Sequence, residues 1–512
     1  MPIRMSDDND SGRGWGGNQG RGSGGDGGGG GFPLIGWLIP LLFRYPKLLI
    51  VLLLVGGIYY FTQKGCSGPA QKQERNSYGT GATLDPAVYD KNEVFAALDN
   101  GEPLPEKVSL EKFAPPPGDQ GEQGSCVGWG STYCGRTVLE SVITHQDPDK
   151  IKFSPAFTYN QIGANGCQGA YITDAVELMT SRGAVPYEEF PYSAGSCAQK
   201  PDEHVLQDAS KFKMRGGNRL SFGGDDYTVD VNAMRQNLAH NAPVIIGMAV
   251  GGTFMGAMEG KDVWMPDQGD YSKNGFGGHC MCVIGYDDNF FKDDGAFLIQ
   301  NSWGAKWGKN GRAWISYKDL VYFTNEAYGI DPMPSTVNET KLQCAIGMVD
   351  RESNTDIVLK NKGQNIYATA SPMKIGQKFK MKITNNIECY VYIFGKETDN
   401  SAYVLFPYTP KHSAYCGITG TRLFPRDYNM EPDKLGNKDY FAVLVSKTRL
   451  DYKALNEKLN ADKTSDFSKR IMNLVGENKP EDVNFDSNNS ISFNAEIKRG
   501  GIVPIVIEVD KR

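Results

Sequence analysis

The apolar and polar positions along this chain form segments of different character. Leu48–Phe61 is an unbroken apolar run between Lys47 and Lys64. Further on, Cys280–Ile284 and Phe297–Ile299 are short apolar runs bounded by polar residues, which predicts buried strands. In the last third of the chain, short stretches rich in aromatic and β-branched residues alternate with Gly, Asn, Asp and Pro. That pattern is typical of a mainly β domain.

The run Leu48–Phe61 predicts a membrane anchor. It is shorter than the roughly 20 residues of an ordinary span. The side chains of Lys47 and Lys64 can reach the interface, however, and Tyr59 and Tyr60 suit that environment. A cleaved signal peptide is disfavoured because a long polar stretch precedes the apolar region. A buried core helix is the other alternative. We therefore expect a lipid bilayer as the partner of this segment.

Charged residues beside the anchor predict its orientation. Arg44 and Lys47 stand at its N-terminal end, so the positive-inside rule places the N-terminus in the cytoplasm. Everything after Lys64 is then expected in the periplasm or outside the cell. The preceding apolar stretch, Phe32–Phe43, is cut off by Arg44 and Pro46 and is expected to be interfacial or re-entrant.

Composition refines this organisation. Glycine dominates Ser11–Gly31, which offers almost no apolar surface to bury, so a disordered tail is predicted there. The net charge of −6 and the lack of a basic stripe argue against nucleic acid as a partner. A chain of 512 residues exceeds one ordinary core. The predicted organisation is a cytoplasmic tail at 1–31, an anchor at 32–63, a linker at 64–103 and globular domains at 104–330 and 335–512.

Cys126 has the local sequence of a reactive nucleophile. It follows a glycine-containing stretch, and after it the apolar residues Val127, Cys134 and Val138 recur near helical spacing. Cys126 is therefore predicted in the first turn of a helix, whose positive end favours the thiolate by lowering the thiol pKa. Gln120, shortly before it, can donate a side-chain amide hydrogen to an oxyanion.

Two further segments supply a base and a group that orients it. His279 precedes the run Cys280–Ile284, so its ring is expected at the start of a buried strand, facing a cleft. Asn301 ends another apolar run and precedes Trp303. The Asn301 side chain can bond one imidazole nitrogen and fix the tautomer, while the indole shields that bond from water.

In this order and spacing, the segments resemble the papain-like cysteine peptidases. The resemblance runs from about Leu104 to about Phe323 and implies an α+β fold with a helical lobe and a β-barrel-like lobe. The matching motifs are Leu104–Val108, Gln120–Cys126, Gly166–Gly169, His279–Tyr286 and Asn301–Gly308.

The resemblance implies a cysteine-type endopeptidase that acts on peptide or protein substrates without a cofactor. The Cys126 thiolate would attack a peptide carbonyl to form an acyl-enzyme, Gln120 would help to hold the oxyanion, and His279 would protonate the leaving amine. Ala170 stands where the family has a second glycine. The residues expected in the site are Cys126, His279, Asn301 and Gln120 for catalysis, and Gly169, Ala170, Gly278 and Trp303 for substrate binding.

Departures from the family pattern concern cysteines and the region before the domain. Gln123 and Gln161 stand where the family has half-cystines, which leaves Cys167 and Cys197 as candidates for a disulfide with each other. The two cysteines after His279 are interpreted as small buried residues, and no metal site is predicted. The linker is too short for the long helical inhibitory propeptide common in the family, so activity must be controlled in another way.

Residues 335–512 are predicted to form a β-sandwich with a helical excursion from Asp451 to about Leu474. This region resembles a module of unknown function found behind enzymes in bacterial envelope proteins. The resemblance rests on Gly376–Phe379, Cys389–Phe394 and Leu405–Pro407. The sequence leaves open whether this region binds a ligand or the cell wall or gives structural support, and it does not identify a partner. His412 is expected at the surface.

Two kinds of function therefore remain. One is a peptidase displayed outside the cytoplasm on a membrane anchor, with exopeptidase or transpeptidase activity as variants. The other is a catalytically silent scaffold that keeps the fold. A binding protein has no physical need for the full catalytic set, which favours the enzyme.

Overall fold

The computed structural model describes the chain in a series of ranges. They are residues 3–7, 78–98, 103–164, 166–222, 228–332, 341–363, 365–407, 409–426, 428–464, 466–479, 483–486, 491–496 and 500–512. The predicted anchor Leu48–Phe61 lies outside them. Among the residues in these ranges, no helix is long and apolar enough to cross a membrane.

Side-chain caps define where several helices of residues 86–323 begin. Ser154 Oγ accepts from the Phe157 N–H at 3.0 Å, and Pro155 follows the cap. Asp230 Oδ1 accepts from the Ala233 N–H at 3.0 Å. The helices are α1 (Pro86–Tyr89), a π-helix (Gly128–Arg136), α2 (Thr137–Thr144), α3 (Pro155–Ile162), α4 (Ile172–Ser181), α5 (Glu203–Ala209), α6 (Val231–Ala239), α7 (Gly252–Gly256) and α8 (Tyr317–Phe323), with 3-10 turns at Glu111–Phe113, Ser210–Phe212 and Asp270–Ser272.

An antiparallel sheet packs against these helices. Its strand order is β3-β8-β4-β5-β6-β7, and β2 pairs with β5. Strands β4, β5 and β6 are almost entirely buried, as their continuous apolar sequences predict. The strands up to residue 330 are β1 (Ile3–Asp7), β2 (Lys107–Ser109), β3 (Gly217–Arg219), β4 (Val244–Val250), β5 (Gly277–Asp287), β6 (Ala296–Gln300), β7 (Arg312–Ser316) and β8 (Thr324–Ile330).

Glycines let the helix that begins at Cys126 approach strand β5 closely. A Cβ atom on Gly130 would lie 2.8 Å from Cys280 Sγ, and one on Gly128 would lie 2.5 Å from the carbonyl oxygen of Pro155. Side chains at these two positions would push the helix away from β5 and α3. The close approach brings the start of the helix next to the start of β5.

The C-terminal region consists of two further sheets and two helices. One sheet has the order β1-β17-β12-β9-β20-β19 with β16 on β12, and the other has β10-β11-β21-β18-β13-β14 with β15 on β13. Their strands are β9 (Lys341–Asp350), β10 (Leu359–Gly363), β11 (Ile366–Thr369), β12 (Phe379–Asn385), β13 (Cys389–Lys396), β14 (Ala402–Phe406), β15 (Tyr415–Cys416), β16 (Gly420–Phe424), β17 (Tyr428–Pro432), β18 (Lys438–Ser446), β19 (Val483–Asp486), β20 (Ile491–Glu496) and β21 (Ile502–Asp510).

An apolar core lies between these two sheets. Phe379 of one sheet meets Phe441 of the other at a centroid distance of 5.9 Å, and both side chains are fully buried. The single helical excursion predicted from Asp451 is interrupted, because Asp466 caps a second helix. The two helices are α9 (Tyr452–Ala461) and α10 (Phe467–Val475), followed by a 3-10 turn at Gly476–Asn478.

Two predictions are wrong in detail. The disordered tail was placed at residues 1–31, but Ile3–Asp7 forms strand β1, antiparallel to Tyr428–Pro432. Backbone pairing with an existing sheet stabilises an extended segment that has no core of its own. His412 is half-buried rather than exposed. Its backbone forms a parallel β-bridge with Val94, and its Nδ1 lies 2.8 Å from Thr409 Oγ1.

Candidate active site

The sheet register brings His279 and Asn301 together. Strands β5 and β6 are antiparallel, with Cys282 paired to Gln300. His279 lies near the start of β5 and Asn301 directly follows β6, so both side chains belong to the same end of the sheet. His279 Nε2 lies 2.7 Å from Asn301 Oδ1. Asn301 thus accepts from the imidazole, as the sequence predicts.

Trp303 covers this hydrogen bond. Its ring stacks on His279 at a centroid distance of 4.3 Å and an interplanar angle of 27°. The ring of Phe254 packs against two tryptophans, with centroid distances of 5.8 Å to Trp303 and 5.0 Å to Trp264. The imidazole is therefore fixed in orientation, and its second nitrogen, Nδ1, has no hydrogen-bond partner in the described structure. Nδ1 is the atom available for proton exchange.

Cys126 begins the helix, as predicted, and its thiol faces this end of β5. The backbone of Cys280, the residue after His279, lies close enough to the thiol to lower its pKa. The helix continues from residue 128 as a π-helix, a form that is frequent at functional sites. Cysteine, histidine and asparagine thus converge from three separate elements.

Gln120 is held beside the same group. Its backbone N–H donates to the Ser302 carbonyl at 2.9 Å, and its Oε1 accepts from Ser302 Oγ at 2.6 Å. Its Nε2 donates to the Gln123 carbonyl at 2.8 Å. This bond uses one of the two Nε2 hydrogens, and the second can donate to an oxyanion, a role that stays a prediction.

The protonation of the site differs from the expectation of a lowered thiol pKa. Burial raises the pKa of Cys126 to about 12, and backbone hydrogen bonds from Cys280, Val127 and Ala82 lower it only in part. Burial also lowers the pKa of His279 to about 4, although the bond to Asn301 acts in the opposite direction. Both groups are therefore neutral in this structure, because the cleft above them is filled.

The cleft is filled by the chain itself. We call residues 78–98 the strap. Tyr78 stacks on Trp303 at 4.6 Å, and the Gly79 carbonyl accepts from Trp303 Nε1 at 2.8 Å. The N–H groups of Gly81 and Ala82 both donate to the Gly278 carbonyl at 3.0 Å. The strap therefore passes directly over the catalytic side chains.

All four predicted substrate-binding residues contact the strap. The Ala170 N–H donates to the Gly81 carbonyl at 2.9 Å, and the Ala170 carbonyl accepts from the Thr83 N–H at 3.0 Å. Gly169 has φ +147°, and a Cβ there would lie 2.6 Å from the Gly81 oxygen. A Cβ on Gly278 would lie 2.1 Å from the Ala82 oxygen. Gly169 and Gly278 approach the strap this closely because they have no Cβ atom, and Ala170 pairs with it through its own backbone. Trp303 contacts it through the indole ring.

The strap binds in the cleft as a peptide would. Ala82 pairs with Ala170 in a parallel bridge. The backbone of Ala82 also lies close enough to Cys126 to lower the pKa of its thiol. The strap therefore occupies the place of a bound peptide beside the nucleophile.

Sequence reasoning missed the strap and treated it as part of a linker. Its cleft-binding part, from Tyr78 to Leu84, consists mostly of Gly, Ala and Thr and shows no helical or strand periodicity. The only available signal was the short spacing before Leu104, which excluded a long helical propeptide. That inference left open what the shorter segment does.

Cys167 and Cys197, the pair suggested by the missing half-cystines, are bonded in the structure, with their sulfur atoms 2.04 Å apart. The bond joins the turn before Gly169 to the loop that contacts Gln123, whose Nε2 donates to the Ser193 carbonyl at 3.2 Å. It therefore braces the wall of the cleft on which the strap lies.

Comparison with known proteins agrees with this geometry. Residues 107–336 match the papain family cysteine protease, and residues 373–449 match a domain of unknown function, DUF4384. Cathepsin B-like CP2 of Giardia intestinalis is 27% identical over 246 residues, covering 45% of this chain and 72% of that protein. Cysteine proteinase 3 of Entamoeba histolytica is 24% identical over 213 residues, 40% of this chain and 61% of that protein.

Among solved structures, xylellain, a cysteine protease from Xylella fastidiosa, is 22% identical. It aligns with a TM-score of 0.40 and covers 51% of this chain and 97% of its own. The family match confirms the α+β, papain-like prediction for the first globular region. Residues 107–336 are therefore similar to the papain family cysteine protease, and residues 373–449 are similar to DUF4384.

Proposed function

We propose that this chain is a latent cysteine endopeptidase in which Cys126, His279 and Asn301 hydrolyse peptide bonds once the strap has left the cleft. The observation that carries the proposal is that an extended peptide already lies across these side chains, bonded to Ala170 and Gly278. A scaffold without chemistry needs neither the oriented imidazole nor the amide donor of Gln120.

Departure of the strap from the cleft allows Cys126 and His279 to hydrolyse a peptide bond. Once water and substrate replace the strap, the burial that keeps both groups neutral is relieved, and the helix N-terminus favours the thiolate of Cys126. The thiolate attacks the carbonyl carbon, and Gln120 Nε2 with the Cys126 N–H holds the oxyanion. His279 gives a proton to the leaving amine and then takes one from water to release the acyl group.

The extent of the strap supports internal cleavage of substrates. On one side of Cys126 the strap bonds to Gly121 and Trp303, and on the other it bonds to Ala170. Gly79 N–H donates to the Gly121 carbonyl at 3.1 Å. Because backbone-binding groups lie on both sides of the nucleophile, the cleft accommodates a chain that continues in both directions, as an endopeptidase requires.

A pocket beside the cleft indicates a side-chain preference. Leu84 fills the space left by two glycines: a Cβ on Gly247 would lie 2.7 Å from Leu84 Cδ2, and one on Gly278 would lie 2.8 Å from Leu84 Cγ. The position of the Gly247 Cβ is also 3.2 Å from Ile172 Cδ1 and 3.5 Å from Glu326 Cβ. This is an apolar pocket with one buried carboxyl group in its wall.

Two fluorogenic peptides that differ only in leucine or arginine at the pocket position test both parts of this proposal. Burial raises the pKa of Glu326 to about 7 while the strap fills the pocket, so its carboxyl can change charge within the range of the assay. In a variant with an open cleft, we expect hydrolysis with a preference for leucine at low pH and a share for arginine that rises with pH as Glu326 ionises. Cys126→Ser should abolish both activities. Retained hydrolysis in that variant, or none in any variant with an open cleft, would favour the scaffold.

We further propose that Leu48–Phe61 attaches the enzyme to a membrane with the peptidase domain outside the cytoplasm. The apolar run and its flanking Arg44 and Lys47 support this. The pairing of Ile3–Asp7 with Tyr428–Pro432 opposes a cytoplasmic N-terminus, because the two strands must share one side of the bilayer. If residues 32–43 also entered the bilayer, the N-terminus would lie on the same side of the membrane as the C-terminal domain.

Cell fractionation with protease digestion tests this placement. We expect the full-length chain in the membrane fraction, with the peptidase domain digested when protease is added outside the inner membrane. Recovery in the soluble fraction, or full protection of the domain in cells whose outer membrane has been opened and whose inner membrane is intact, would contradict the proposal. Epitope tags at the two termini show which side each one occupies.

A further inference from the structure

The second half of the strap lies between the peptidase domain and the C-terminal domain. The Val94 N–H donates to the Lys411 carbonyl at 2.5 Å, and the Val94 carbonyl accepts from the Ser413 N–H at 3.0 Å. On its other edge, the Phe95 N–H donates to the Arg219 carbonyl at 3.0 Å. Val94 forms parallel bridges with both Arg219 and His412. At Val94 the strap is thus bridged to both domains.

Side chains of the C-terminal domain hold the following residues of the strap. The side chain of Arg422 is buried, and its Nε donates to the Ala96 carbonyl at 2.7 Å. Its Nη1 donates to Asn385 Oδ1 at 2.6 Å. Leu98 packs against Gly420, where a Cβ would lie 3.0 Å from Leu98 Cδ2. These contacts bury strap atoms against the sandwich rather than against the catalytic cleft.

Ion pairs add to this hold. Lys411 Nζ lies 2.9 Å from Asp90 Oδ2, and Arg449 of the C-terminal domain pairs with Glu93. The acidic residues belong to the strap, and both basic residues belong to the sandwich. The charges of the two surfaces are therefore complementary along the segment 90–93.

The part of the strap that fills the cleft has little apolar surface. From Tyr78 to Leu84, only the two terminal side chains are large, and Gly79 and Gly81 lose much conformational freedom when they are ordered. Helix α1 joins this part directly to the residues held by the sandwich. Holding one part of a chain raises the effective concentration of the adjoining part at its own site.

We propose that the C-terminal domain functions as the retention domain of the strap and keeps the peptidase latent by holding residues 90–98. This inference rests on the proposed function, since it concerns access to the same cleft. It assigns a role to the DUF4384 domain that needs no external ligand. Loosening the strap from the sandwich is then sufficient to increase exposure of Cys126, with no change in the catalytic groups.

Charge reversal at the partly exposed pair of Glu93 and Arg449 tests the retention without disturbing a core. In the full-length chain we would measure the alkylation rate of Cys126 by an epoxide thiol inactivator, located by mass spectrometry, at low ionic strength. Arg449→Glu and Glu93→Lys should each raise that rate by about 5-fold, the scale expected when attraction at a partly exposed pair becomes repulsion. The double variant should return toward the original rate.

Lys360→Glu is the matched control, an equal change of charge at an exposed position of the same domain. Unchanged alkylation in Arg449→Glu and Glu93→Lys, or an equal rise in Lys360→Glu, would overturn the retention role. Gly81→Val disturbs only the part of the strap in the cleft. It therefore distinguishes a wrong retention role from a wrong proposed function. Rapid labelling of Gly81→Val with no effect at the ion pair would reject the retention domain but keep the peptidase.

Discussion

Replacing Gly81 with valine is expected to raise the alkylation rate of Cys126 by about 100-fold, because the cost of a backbone clash of roughly 3 kcal/mol corresponds to that factor. A Cβ at Gly81 would lie 2.2 Å from the carbonyl oxygen of Gly124 and 2.6 Å from its carbonyl carbon. Both are backbone atoms of the loop before the nucleophile, so neither can move aside as a flexible side chain would. The strap must leave the cleft instead.

Gly256→Val is the matched control for this variant. Gly256 is exposed, and no atom lies within 4 Å of the place where its Cβ would be. The same glycine-to-valine change is therefore expected to leave Cys126 as slowly labelled as in the unaltered chain. Equal labelling rates in the two variants would show that the strap does not limit access to the thiol.

The second large effect concerns His279 and is best measured in the Gly81→Val chain, where the cleft is open. His279→Ala should lower kcat/KM for a peptide substrate by at least ~10³-fold, since the proton donor for the leaving amine is lost. At pH 6, alkylation of Cys126 should fall by about 100-fold, because without the imidazolium the thiol titrates near its usual pKa of ~8.5.

Asn301→Ala is the informative companion to that variant. Asn301 touches the imidazole but does not exchange protons, so its loss should lower kcat/KM less than the loss of His279 while the thiol remains reactive at pH 6. Folding of each variant can be checked by its thermal unfolding temperature. Equal turnover by His279→Ala and its Gly81→Val parent would remove the histidine from the mechanism.

The catalytic residues were accessible from sequence because each belongs to a short local pattern. Cys126 follows a glycine stretch and starts a helix, and His279 and Asn301 lie at the ends of buried apolar strands. Strand order and register then bring these ends together, as the 2.7 Å bond between the imidazole and Asn301 shows. Periodicity and motif spacing report such local features directly.

Other properties depended on contacts between distant residues. The thiol pKa was expected to fall at the helix N-terminus, yet burial raises the pKa of Cys126, and the backbone groups around the thiol lower it only in part. The segment Ile3–Asp7 was assigned to a tail because its sequence has no core-forming pattern, and only pairing with Tyr428–Pro432 makes it a strand. The half-buried state of His412 likewise follows from the strap beside it.

The sequence by itself determined the α+β, papain-like fold of the first globular region, its candidate catalytic residues and the β-rich region that follows. Only the tertiary structure decided that the linker is a strap across the cleft and that the C-terminal domain holds it. The physical reason is that the residues from Tyr78 to Leu84 bind through backbone hydrogen bonds and close glycine contacts. Every residue type carries a backbone, so this kind of binding leaves almost no mark in composition or periodicity until its partners are placed in space.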